Sequence, residues 1–164
     1  MKSTAIPMSA MKDPVLVLAL GFGAGLSRFA PGTFGTLVAV PLFWIMQPLP
    51  ILYYSLITLA LFAVGIALCG AAAQKLGVHD HPGIVWDEIV GYLITMLMAP
   101  AGIVWIIAGF VLFRLFDIWK PWPIAWLDAK VSGGLGIMVD DVLAGIYAAL
   151  VLQLVVFLLP GLST

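Results

Sequence analysis

The chain has 164 residues, 63% of them apolar and 9% charged, with a formal net charge of −1, and its mean hydropathy is +1.18. Soluble domains are about a quarter charged, so this sequence holds too few polar side chains to coat a water-facing surface. It reads as an integral membrane protein, and it offers no basic field for nucleic acid.

One domain over residues 1–164 is expected, with room for roughly five helices of about 20 residues each. Residues 14–26 are apolar but short and glycine-rich. They read as an interfacial or half-inserted N-terminal helix, with a full crossing as the alternative. Lys2 and Lys12 are not followed by an apolar core with a small-residue cleavage site, so no removable signal peptide is expected. The first span covers 33–46 and stops at Gln47-Pro48-Leu49-Pro50. The second, 51–73, has no charge. Residues 84–98 and 103–117 form a helical hairpin broken at Ala99-Pro100-Ala101-Gly102, and 142–159 is the last span. Proline and glycine mark the breaks. The fold class is therefore all-α, a polytopic membrane helical bundle. The single cysteine, Cys69, rules out an internal disulfide framework and reads as a small core residue.

Charge is distributed unevenly along this pattern. The turns at 47–50 and 99–102 and the end at 160–164 contain no Asp, Glu, Lys or Arg, whereas the alternate connections carry Lys75, Arg114, Lys120 and Lys130. Positive residues mark the cytoplasmic side, so the polar face is expected to be cytoplasmic. Seven of the eight carboxylates are Asp80, Asp87, Glu88, Asp117, Asp128, Asp140 and Asp141. The pairs Asp87-Glu88 and Asp140-Asp141 each precede or open an apolar helix. Acidic residues in a first helical turn complement the macrodipole, which would explain either pair alone. Two such pairs with Asp117 instead suit a hard divalent ion such as Mg²⁺, bound by oxygen ligands from several helices.

Gly91 and Gly145 each stand four residues after an acidic residue, Asp87 and Asp141, where they would let neighbouring helices approach. Simple helix packing accounts for them equally well. Glycine-rich faces are also compatible with a homodimer. Arg114, Asp117 and Lys120, spaced i, i+3, i+6, share one face if the helix continues that far. They form either a structural ion-pair ladder or an anion site in which Arg114 and Lys120 hold phosphate. Trp119, Trp122 and Trp126 read as an interfacial aromatic belt. His79-Asp80-His81 lacks the i, i+4 spacing of a helical zinc motif. Its histidines either act as an acid or orient phosphate, or are plain loop residues. Pro31-Gly32-Thr33-Phe34-Gly35-Thr36 opens a helix whose N–H groups, with Thr33, could receive a phosphate or simply form a cap.

Four blocks carry a family resemblance: Gly21-Phe22-Gly23 to Gly25 with Pro31-Gly32-Thr33 and Gly35; Gly77-Val78-His79-Asp80-His81 with Ile84-Val85-Trp86-Asp87-Glu88; Phe113-Arg114 to Ile124; and Gly133-Gly134 through Asp140-Asp141 to Gly145. Together they resemble the bacterial phosphatidylglycerophosphatase A family. The resemblance implies an all-helical, Mg²⁺-dependent lipid phosphatase, multi-pass in the bacterial inner membrane with its active site facing the cytoplasm. Its substrate would be phosphatidylglycerophosphate, and its products phosphatidylglycerol and inorganic phosphate. Asp87, Glu88, Asp140 and Asp141 would hold the metal, with Asp117 as a further ligand or supporting base. Arg114 and Lys120 would balance charge on the phosphoryl group, with Thr33 and His81 beside the substrate. His79 or Asp80 would protonate the leaving glycerol oxygen. Attack by water and a covalent phospho-aspartate on Asp87 or Asp141 both remain open. Arg28 departs from the signature and stays outside the expected site. The rival readings are a phosphatase for another membrane phosphate and an ion-coupled transporter.

Overall fold

The computed structural model describes residues 6–78 and 81–159, and among them all regular structure is helical. His79 and Asp80 lie outside the described residues. A short N-terminal layer containing α1 (Pro14–Ala19) leads into six further helices: α2 (Pro31–Met46), α3 (Ile51–Leu76), α4 (Trp86–Thr95), α5 (Ile103–Trp119), α6 (Ile124–Asp128) and α7 (Gly133–Leu158).

The N-terminal segment is not one helix. Asp13 caps α1 by accepting from the N–H groups of Val15 and Leu16 at 2.9 and 3.4 Å. After Ala19 the chain tightens into a 3₁₀ segment, with Phe22 and Gly23 at positive φ. A six-residue α-helix rises about 9 Å, far short of a hydrocarbon core about 30 Å thick. This layer folds onto the loop that leads into α4. The Val85 N–H donates to the Ala19 carbonyl at 2.9 Å, and Gly25 passes so close that a Cβ there would stand 1.9 Å from the Gly83 oxygen.

α3 and α7 have 26 residues each and are long and apolar enough to cross a membrane. A long apolar helix in the core of a soluble protein would be mostly buried, yet only 33% and 28% of the apolar windows of α3 and α7 are buried. Leu52, Leu56 and Leu59 of α3, Ile107 and Val111 of α5 and Leu150 of α7 face outward. An apolar exterior over hydrogen-bonded helices is the surface that lipid accepts. α4 is the inverse case, with eight of its ten residues buried between its neighbours.

Several helix boundaries differ from the sequence expectation; α2 starts two residues earlier, at Pro31, and α3 runs three residues further, to Leu76. α4 occupies Trp86–Thr95 rather than 84–98, because the chain leaves the helix at Met96 and turns through Met98 at positive φ. α5 runs two residues past Asp117. α7 begins at Gly133, nine residues before the expected 142. Hydropathy misses that start because the first turns of α7 are glycine-rich and then carry Asp140 and Asp141.

Close helix contacts hold the bundle in register. A Cβ on Gly145 would lie 2.5 Å from the Gly91 carbonyl oxygen, and one on Gly91 would meet Phe113 at 2.5 Å and the Asp141 main-chain carbonyl oxygen at 2.8 Å. The packing role expected for both glycines is therefore the one observed, and it draws α4 and α7 together beside their carboxylates. Polar side chains at the opposite end tie off carbonyls, Gln153 to Leu97 at 3.0 Å and Gln47 to Pro100 at 3.4 Å.

Candidate active site

One end of the bundle gathers the start of α2, the start of α4, the end of α5 and the second and third turns of α7. They enclose a cavity of about 320 Å³ lined by Gly32, Asp87, Glu88, Arg114, Asp117, Lys120, Asp140 and Asp141, with Ala30, Pro31, Pro82, Ile84 and Ile118 completing the wall. Five carboxylates face two cations here. That excess of negative charge is costly unless a positive ion shares the space.

The two acidic pairs have different local origins. Asp87 and Glu88 stand in the first turn of α4, where the helix dipole accommodates them. Asp140 and Asp141 are the eighth and ninth residues of α7, about 11 Å along it at 1.5 Å per residue. The dipole of that helix end acts within its first turn, so it does not account for them. Both are buried, and their retention calls for another partner.

The cavity splits its carboxylates into two groups. Asp87, Glu88 and Asp141 each present an oxygen within 4.8 Å of the others. Asp140 instead receives a hydrogen bond from Lys120 at 2.7 Å, and the same ammonium donates to Asp128 at 3.0 Å. Lys120 reaches both because α5 ends at Trp119 and Lys120 itself adopts a left-handed backbone, φ 45°. The expected row of Arg114, Asp117 and Lys120 is broken at that point. Arg114 pairs with Asp117 at 2.5 Å and lies 3.7 Å from Glu88, while Lys120 turns towards α7. Burial works against the Lys120 charge, but its contacts with Asp140 and Asp128 outweigh that cost and hold the ammonium protonated, above the ordinary lysine range.

Glu88 Oε2, Asp140 Oδ1 and Asp141 Oδ2 are buried without a hydrogen-bond partner. Buried polar atoms in native proteins are nearly always satisfied, and orphaned carboxylate oxygens require an ion or ordered water. Oxygen-only donors of this kind fit a hard divalent cation such as Mg²⁺.

Several expected site residues lie elsewhere. Thr33 is half-buried in the first turn of α2 but does not line the acidic cavity; its N–H donates to the Ala30 carbonyl at 3.0 Å. His81 is buried and lines a neighbouring cavity with Asp13 and Lys75, and its Nδ1 accepts from the Gly83 N–H at 3.0 Å. Arg28 is exposed and outside the cavity wall. Two residues that the sequence showed only as members of a charge cluster or a helix start take a definite place in the site. Gly32 belongs to the wall, and Asp128 reaches the site through Lys120. The Pro31-Gly32 dipeptide marked a helix start, but nothing in it announced the approach of Glu88.

The architecture so defined is an all-helical bundle with an apolar exterior and a charged cavity at one end, built from acidic oxygens with an arginine and a lysine beside them. Residues 17–156 match the Phosphatidylglycerophosphatase A family. The chain is 47% identical to Phosphatidylglycerophosphatase A of Escherichia coli (strain K12) over 146 residues, covering 88% of this chain and 85% of that protein. It is 46% identical to the protein of the same name from Haemophilus influenzae over 141 residues, with 85% and 86% covered. A Bacteroides thetaiotaomicron protein named "Putative phosphatidylinositol-3-phosphatase" is 37% identical over 142 residues, with 82% and 88% covered. No solved structure matches the chain. The chain belongs to the phosphatidylglycerophosphatase A family and is a phosphatase.

Proposed function

We propose that this phosphatase hydrolyses phosphatidylglycerophosphate to phosphatidylglycerol and inorganic phosphate, with Mg²⁺ as cofactor. In this reading the protein is multi-pass in the bacterial inner membrane, and its cavity opens to the cytoplasm. The observation that carries it is the single cavity in which Asp87, Glu88 and Asp141 converge beside Arg114 and Lys120. A phosphate ester needs both kinds of group, because its charge must be neutralised while its phosphorus is attacked.

Asp87, Glu88 and Asp141 would hold the ion, which when bound draws charge from a phosphate oxygen and makes bound water more acidic. Arg114, fixed by Asp117 and near Glu88, presents a guanidinium suited to a phosphoryl group. Lys120 keeps Asp140 oriented from the opposite wall. Asp87 or Asp141 would serve as the nucleophile if the route is covalent, and a cavity carboxylate would orient water if it is not. His79 and Asp80, the residues suited to protonating the departing glycerol oxygen, lie outside the described residues. Lys75, Arg114, Lys120 and Lys130 support the cytoplasmic orientation. The outward-facing apolar residues support lipid contact, which would keep the acyl chains in the bilayer while the headgroup enters the cavity.

Phosphate release from phosphatidylglycerophosphate in detergent micelles tests this reading, with Mg²⁺ or EDTA, for the wild type and Asp87→Asn. Release that needs Mg²⁺ and disappears in Asp87→Asn is the expected result. No release from a folded, Mg²⁺-supplied protein would exclude this activity. The name of the Bacteroides relative supports a second reading, hydrolysis of a different phosphorylated lipid headgroup. Faster release from phosphatidylinositol-3-phosphate than from phosphatidylglycerophosphate in a side-by-side assay would favour it.

A further inference from the structure

Gly32 has no side chain to offer the reaction, yet it lies against the two side chains that join the acidic trio to the cationic wall. A Cβ on Gly32 would stand 2.1 Å from Glu88 Oε1, 2.8 Å from Arg114 Nη1 and 3.1 Å from Arg114 Nη2. The first distance is well inside van der Waals contact, so a methyl group and the carboxylate cannot both occupy their places.

The backbone does not explain the glycine. Gly32 is the second residue of α2 and is absent from the residues at positive φ, so an alanine could adopt its conformation and would favour the helix. What alanine lacks is room. The atoms it would strike are the ends of the Glu88 and Arg114 side chains, not main chain or core. Gly35, one turn further along α2, differs in this respect, since a Cβ there would strike Val85 in the loop before α4.

We propose that Gly32 is a positioning residue. By omitting a side chain, it lets the Glu88 carboxylate and the Arg114 guanidinium seat beside the first turn of α2, and so sets where the cation ligand and the phosphate-facing cation stand. The inference rests on the cation-binding reading of the acidic trio given above. A substitution at Gly32 therefore acts through Glu88, and shortening Glu88 relieves it.

The test uses the full-length protein in detergent with Mn²⁺ as the probe, its binding followed by electron paramagnetic resonance and its folding by thermal unfolding. Four proteins are compared: wild type, Gly32→Ala, Glu88→Asp and the double variant. Gly32→Ala should weaken Mn²⁺ binding by about 10- to 100-fold, the range seen when groups that orient a metal ligand are lost. Glu88→Asp withdraws the carboxylate by one methylene, so adding Gly32→Ala to it should cost little further in affinity or in melting temperature. That non-additivity is the signature of direct contact. Costs that simply add in both measurements overturn the proposal, as does a Gly32→Ala protein that binds Mn²⁺ like the wild type. If Gly32→Ala alone does not fold, recovery of folding in the double variant supports the proposal, and failure of the double variant where Glu88→Asp folds overturns it. A wild type that binds no Mn²⁺ sinks the cation reading instead, while the coupling in melting temperature still decides the Gly32–Glu88 contact.

Discussion

Arg114→Ala removes the cation that stands between Asp117 and Glu88. The side chains of Arg114, Asp117 and Glu88 are 15%, 13% and 13% exposed, so water screens the lost interaction only slightly. The 2.5 Å contact with Asp117 dominates, because the 3.7 Å separation from Glu88 is long for a direct bond. Removing one partner from a buried pair costs about 3–5 kcal/mol, chiefly through the charge left behind. At about 2–4 °C per kcal/mol for a chain of this size, the lower end of that range is a fall of about 6–12 °C in melting temperature. If Arg114 also stabilises the transferring phosphoryl group, loss of that contact slows turnover by about 10²- to 10³-fold. Arg114→Lys keeps the charge without the planar fork, so it should recover part of the melting temperature and little of the rate. Thermal unfolding in detergent and phosphate release, run on the same preparations, read the two effects separately. An Arg114→Ala protein that melts with the wild type and turns over at its rate would refute both the buried pairing and the phosphate-facing role.

Other elements of the structure make distinct predictions. Lys120→Met strands Asp140 without its donor and should lower phosphate release at least about tenfold, whereas Asp128→Asn breaks the more exposed half of the same contact and should change stability by less than about 1 kcal/mol; equal effects from the two would contradict the division of roles. Gly145→Ala forces α4 and α7 apart and should cost about 1–3 kcal/mol in thermal unfolding, with a loss of Mn²⁺ affinity because Asp141 moves away from Asp87 and Glu88. The hydrogen bond from Lys75 holds the Asp13 carboxyl below its ordinary range. Its folded-state value is the depressed one, so its contribution is present above the unfolded carboxyl value and is lost as pH falls through the lower folded value. Lys75→Met should therefore reduce the fall in melting temperature over that acid limb and leave the slope near neutral pH unchanged.

The acidic blocks and the positions of the apolar runs were legible in the sequence because each is a local property. Glu88 follows Asp87 in any fold, and an uncharged run as long as 51–73 is a helix wherever it lies. The positive charges likewise marked one face before any helix was placed. Helix lengths were less legible where composition is ambiguous. The Gly133–Gly136 stretch conceals the start of α7, and Met98 at positive φ shortens α4. The family blocks brought Asp87, Glu88, Arg114, Asp117, Lys120, Asp140 and Asp141 to attention together, and the tertiary structure places all seven around one cavity.

How those seven divide was decided only by the tertiary structure. Asp140 and Asp141 are neighbours in the chain, yet successive residues on a helix point about 100° apart, and each meets whatever packs on its own side. For Asp141 that is the start of α4, and for Asp140 it is Lys120, turned back by its left-handed backbone at the end of α5. Thr33 and His81 border motifs that read as site residues, but neither lines the acidic cavity, and His81 lines the neighbouring one with Asp13 and Lys75. Gly32 is the converse case, a residue without a functional group that acquires a role from the 2.1 Å between an imagined Cβ and Glu88. Sequence determines which chemical groups are available and roughly which end of the bundle they occupy. Which group touches which depends on helix rotation and close approach, and those are set by side chains far apart in the chain.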